Sequence, residues 1–171
     1  MIGFVPSTGS PALRDAPLRN ASLPEAMWRF SDNAFRFRGR ASRSEYWWWM
    51  LVNVAVLGVT QILIPVLLTG RSPQPTLLVG PFGSALLANV EVFSWYPDEP
   101  SASPSPALSI VVAAVWSLGT LIPGLSVAIR RLHDSNLTAW WALLAFVPVG
   151  SVVLLLLATR RSRLAGVRFD G

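Results

Sequence analysis

The side chains able to do acid–base, ion-pairing or anion chemistry fall in two short stretches. Arg40, Arg43 and Glu45 lie in FRFRGRASRSEYWWW, and Arg130, Arg131, His133 and Asp134 lie in IRRLHDSNLTAWWALL. His133 is the sole histidine, and one imidazole beside one carboxylate falls short of the three or four ligands that zinc takes. Cysteine is absent, which excludes disulfides, iron–sulfur clusters and thiolate metal sites. All fourteen basic residues are arginine, so neither a Schiff-base lysine nor a P-loop lysine exists. A nucleophile–base pair has only Ser135 and Asp134 to draw on beside His133. Catalysis, a metal and a cofactor are therefore not expected.

Two readings of these charges remain. In the first they mark where the chain leaves a membrane. Arg130 and Arg131 end a helix whose C-terminal dipole favours cations, and they meet lipid headgroups. Leu132 to Thr138 is then a short loop, Asp134 pairs with an arginine, and Thr138 caps the next helix. In the second, His133 and Asp134 meet Arg40, Arg43 and Glu45 on one membrane face. That polar cluster would bind an anionic headgroup, a ligand or a partner protein.

The elements that must position these residues are apolar. The 171-residue chain is 52% hydrophobic and only 13% charged, against roughly a quarter charged in ordinary soluble domains. Residues 46–69, 107–129 and 139–158 each run without a charge. A helix needs about 20 such residues to cross a hydrocarbon core about 30 Å thick, and lipid forces these stretches to be helical despite their β-branched residues. Residues 76–90 are too short and too rich in Gly and Pro to cross, and are expected to lie at the interface or re-enter. Pro65 and Pro123 kink spans one and two. Residues 1–26, rich in Pro, Ser and Ala, are expected to be a disordered tail, with Met27 an alternative start; residues 94–106 form a proline-rich loop and 159–171 a basic tail.

Ser42 and Glu45 have capping-box spacing, so the first span should begin there, with Gly39 permitting a turn before it. Trp47, Trp48 and Trp49, and later Trp140 and Trp141, are expected to anchor both helix starts at headgroup depth. The arginines before span one assign the N-terminus to the cytoplasm. A full crossing by 139–158 leaves seven arginines inside and five outside, whereas a hairpin broken at Pro148 and Gly150 leaves eleven against one. The sequence leaves that crossing open. The net charge of +5 sits beside apolar segments, which favours anionic lipid over nucleic acid.

Residues 35–49 and 122–150 resemble the domain of unknown function 805 family of small bacterial inner-membrane proteins. The resemblance is carried by Phe35 through Trp47, by Ile122-Pro123-Gly124-Leu125, by Arg130 to Asp134, by Trp140-Trp141 and by Pro148-Val149-Gly150. It implies a membrane fold in the bacterial inner membrane and no particular activity. The family has T-G-x-S-G-W-W where this chain has Ser135 to Trp141, losing a glycine turn. It ends in G-x-N-x-[FY]-G where this chain has Gly166 to Gly171 without the asparagine, so no role is carried over to the tail.

The sequence thus predicts an all-α, multi-pass membrane bundle of three main apolar helices with a short re-entrant or interfacial segment. Its expected role is a non-catalytic interaction or anionic-lipid-binding module on the cytoplasmic face, with membrane lipids and a membrane protein as partners. A small-solute channel or transporter subunit is the alternative. No ionisable residue sits inside the three spans to meet a solute.

Overall fold

The computed structural model describes residues 16–69, 76–84, 90–94, 107–147 and 149–170. Residues 1–15 of the expected tail, 95–106 of the proline-rich loop, and Pro148 lie outside them.

Ordered structure begins earlier than expected. Helix α1 (Leu23–Asp32) takes in four residues assigned to the tail. Its start is a second capping box: the Glu25 carboxylate accepts from the Ser22 amide at 2.8 Å and from the Ser22 hydroxyl at 2.7 Å. The hydroxyl first, and then the amide, hold the Glu25 carboxyl below its ordinary range. Composition had hidden this signal.

Helix α2 (Arg43–Gly58) begins where the sequence placed it. Ser42 Oγ accepts from the Glu45 amide at 3.2 Å, and Glu45 accepts from the Ser42 amide at 2.6 Å. A π-helical turn, Val59–Leu63, joins it to α3 (Ile64–Thr69). Pro65 explains the turn, because its ring would strike the carbonyl four residues back in a regular α-helix; the wider π-turn relieves that contact. Arg43–Leu67 is long and apolar enough to cross a membrane, as is Val111–Asp134 within α4 (Ala107–Asp134).

The stretch 76–90 corrects the all-α expectation. Strands β1 (Thr76–Val79) and β2 (Val90–Ser94) pair antiparallel, with a register shift between Leu77 and Leu78. After β1 the chain turns through Pro81–Ser84, buried between α2 and α4. The Tyr46 hydroxyl donates to the Pro81 carbonyl at 2.6 Å, Gly83 N–H donates to the Gly80 carbonyl at 2.9 Å, and the Ser84 hydroxyl donates to the Ser117 carbonyl at 3.3 Å. Irregular backbone survives among apolar helices only when partnered in this way. Gly124 lets the turn approach, since a Cβ there would strike the Phe82 carbonyl.

The third apolar segment is not one helix. Residues Ala139–Phe146 form a 3-10 helix and Gly150–Ala158 forms helix α5. Between them Val149 takes a left-handed conformation at φ 66°, and Gly150 packs so closely on the Leu144 carbonyl that a Cβ there would collide. The arms are about 16 and 14 Å long at their respective rises, each near half a hydrocarbon core.

The distribution of polarity is inverted. Polar residues Asn53, Ser84, Ser117 and Ser126 are buried, with Trp116 Nε1 donating to Asn53 Oδ1 at 3.0 Å. Leu51, Leu67, Val115, Leu118, Phe146 and Leu156 all face outward, and only 28% and 44% of the two long apolar windows is buried. A soluble core helix would be mostly covered; this pattern suits an apolar solvent.

Candidate functional site

The two charged stretches meet at one end of the molecule, and the C-terminal segment closes over them. Ala41 N–H donates to the Arg130 carbonyl at 3.0 Å, which lays the start of α2 against the end of α4. Gly39 adopts φ 83°, as the expected turn requires, and exposes both backbone groups. Its N–H donates to the Phe169 carbonyl at 2.9 Å, and its carbonyl lies 3.2 Å from His133 Nδ1. The His133 ring stacks on Phe169 with centroids 4.1 Å apart and planes 6° from parallel.

Arg131 is the hub. It is 1% exposed, and its guanidinium donates to the Ala158 carbonyl at 2.9 Å, to Asp134 and to the Arg160 carbonyl. Asp134 is fully buried; it also accepts from the Ser162 hydroxyl at 2.5 Å, and its carbonyl accepts from Arg163 N–H at 2.8 Å. Arg40 makes a forked contact to Asp170, 2.6 Å at its shortest. Glu45, 3% exposed, pairs with Arg29 from α1. Arg130 is buried as well.

Arg43 differs. It is exposed and lines an open cleft of about 470 Å³ with Arg19, Arg161, Ser42, Ser44 and Ser162. Among the described residues no carboxylate lines this cleft.

The structure therefore brings the seven expected site residues to one end, but divides their roles. Arg40, Glu45, Arg131, His133 and Asp134 direct their polar atoms to the chain itself, while Arg43 faces outward. Asp134 pairs with an arginine as expected, but Thr138 provides no side-chain cap. The turn that the missing glycine was expected to cost is retained, because Asn136 takes the left-handed conformation at φ 61°. Among the aromatic anchors, Trp47, Trp140 and Trp141 are exposed, and Trp48 donates from Nε1 to the Ala21 carbonyl at 2.9 Å. Trp49 is a correction: it is 1% exposed and stacked on Phe30 at 3.9 Å, so it belongs to the core.

Sequence reasoning missed Arg29, Arg160, Ser162, Phe169 and Asp170. The tail motif was the available signal: Gly166 occupies its first glycine position, while Phe169 stands one residue before its aromatic position, which Asp170 fills. A Cβ on Gly166 would come within 2.5 Å of the His133 carbonyl. Among the described residues, no three His, Asp or Glu side chains converge to hold a metal.

A family model described as "Protein of unknown function (DUF805)" matches residues 34–171. The chain is similar to the inner membrane protein YhaI of Escherichia coli (strain K12), 32% identical over 124 residues, which is 72% of this chain and 73% of that protein. It is also similar to the inner membrane protein YhaH of the same strain, 27% identical over 72% of this chain and 74% of that protein. No solved structure matches it.

Proposed function

Because the chain belongs to the DUF805 family of proteins of unknown function, with inner-membrane proteins as its relatives, we propose that it is a non-catalytic bacterial inner-membrane module with both termini in the cytoplasm. It crosses twice, through Arg43–Leu67 and Val111–Asp134, and presents an arginine-rich face to anionic headgroups of the inner leaflet.

One observation carries this reading. The segment 139–158 starts beside the end of α4 and returns to it, since the Arg131 guanidinium holds the Ala158 carbonyl at 2.9 Å and Asp134 holds the Arg163 amide at 2.8 Å. Two half-length arms that begin and end at the same helix terminus make a re-entrant hairpin. Arg160, Arg161, Arg163 and Arg168 then lie with Arg40, Arg43, Arg130 and Arg131 on the side that retains basic residues.

Reporter fusions at residues 100, 135 and 171 test it. Periplasmic activity at 100 with cytoplasmic activity at 135 and 171 is the expected pattern, whereas a periplasmic signal at 171 removes the hairpin and with it the common face. Lipids co-purifying with the protein should be enriched in anionic species over the bulk membrane. A protein partner retained in place of lipid would leave the topology standing and assign the face to protein docking.

Transport is the second reading, and it rests on the buried turn Pro81–Ser84 between the two spans, an arrangement that can line a solute path. Solute flux in liposomes that disappears in Gly124→Val would favour it.

A further inference from the structure

The arginine cleft does not end at headgroup level. Ser44 forms part of its wall and also part of the wall of a second, apolar groove of about 580 Å³. That groove descends along α2 past Trp47, Met50, Leu51 and Val54, and is closed on its other side by Val79 of β1 and Leu155 of α5. Ser44 to Val54 is ten residues of helix, about 15 Å, which is the depth of one leaflet of a hydrocarbon core about 30 Å thick.

The cleft above it has the opposite character. Arg19, Arg43 and Arg161 converge from three separate segments, all exposed, with no lining carboxylate among the described residues. The cleft hydroxyls are already engaged: Ser42 Oγ and Ser44 Oγ share a hydrogen bond of 3.0 Å, Ser44 Oγ accepts from Ala21 N–H at 2.9 Å, and Ser162 donates to Asp134. Among the described residues the guanidiniums are the unspent groups, and their planar fork matches phosphate oxygens.

We infer that the cleft and groove form one continuous site for a whole anionic phospholipid of the inner leaflet, its phosphate held by Arg19, Arg43 and Arg161 and one acyl chain lying along α2 against Val79 and Leu155. This rests on the membrane orientation proposed above. It goes further by assigning a single bound lipid rather than a charged surface. Charge complementarity selects the headgroup, and the depth of the groove selects a leaflet lipid over a soluble phosphate.

The test uses the full chain in detergent and native mass spectrometry, with dioleoylphosphatidylglycerol, dioleoylphosphatidylcholine and glycerol 1-phosphate as probes. One phosphatidylglycerol should be retained in preference to phosphatidylcholine, and glycerol 1-phosphate alone should not displace it. Arg43→Gln with Arg161→Gln should weaken phosphatidylglycerol retention about tenfold or more, because two headgroup contacts are removed. Val54→Trp, which fills the groove and leaves the cleft intact, should weaken it comparably while leaving the melting temperature unchanged.

Equal retention of both lipids by the native chain and the double variant would overturn the inference. So would full competition by glycerol 1-phosphate with Val54→Trp unaffected, which would leave a headgroup site without a chain. Failure here, with the reporter at residue 171 cytoplasmic, removes the lipid site alone; a periplasmic reporter removes the orientation on which it depends.

Discussion

Arg131 and Arg43 stand at the same end of the molecule and have opposite surroundings. Arg131 is buried and directs its guanidinium to Asp134 and two carbonyls, while Arg43 is exposed in a cleft that it shares with two other arginines. The first kind of arginine fixes where segments far apart in sequence come together. The second leaves its charge for something outside the chain. Sequence context does not separate them, since each borders an apolar span, Arg43 before the first and Arg131 after the second, and both lie in a family motif.

Breaking the pair should give the largest effect. Asp134→Ala leaves the Arg131 charge buried without its partner, and such losses typically cost about 3–5 kcal/mol. Folded protein should fall sharply in detergent gel filtration, whereas Arg43→Ala should stay within about 0.5 kcal/mol of the native chain. Equal losses in the two variants would erase the distinction.

Gly124→Val comes next, with a cost of about 1–3 kcal/mol for forcing a side chain against the Phe82 carbonyl. The chain contains no cysteine, so Ser84→Cys gives a unique label site that should react in the Gly124→Val background and stay protected without it.

Asp170→Asn removes the carboxylate charge from the Arg40 pair, which is partly exposed and worth about 1 kcal/mol or less. Limited proteolysis should cut the tail faster while the rest of the chain remains folded. An unchanged cutting rate would mean that the His133 stacking on Phe169 and the Gly39 bond to the Phe169 carbonyl hold the tail without the ion pair.

The smallest effect concerns α1. The Glu25 carboxyl is held below its ordinary range by Ser22, so the capping contribution is present above that range and fades as pH falls through the lowered value. The Ser22 amide shift followed during acid titration should move with Glu25, and Ser22→Ala should return the carboxyl toward its ordinary range.

Much of the architecture was legible because its causes are local. Ser42 and Glu45 announce the start of α2 through side-chain contacts to their own first turn. Gly39 announces a turn through its backbone freedom. The same local chemistry at Ser22 and Glu25 was overlooked behind a composition rich in Pro and Ala. Trp49 could not be told from Trp47 and Trp48 by type, because only the packing of Phe30 decides which ring of the run turns inward. The pairing of β1 with β2 was equally hidden: the apolar residues of β1 fit a membrane segment, its partner strand lies more than ten residues away, and the turn after β1 fits only where Gly124 leaves room for the Phe82 carbonyl.

The sequence by itself determined that two long stretches must be helical in an apolar solvent and that arginine clusters at their ends, since hydropathy, capping and charge are properties of neighbouring residues. Only the tertiary structure decided that residues 139–158 fold back and that the tail closes over His133. Those outcomes depend on Arg131 reaching Ala158 and on Gly150 meeting Leu144, contacts that exist only once helix ends distant along the chain are packed together.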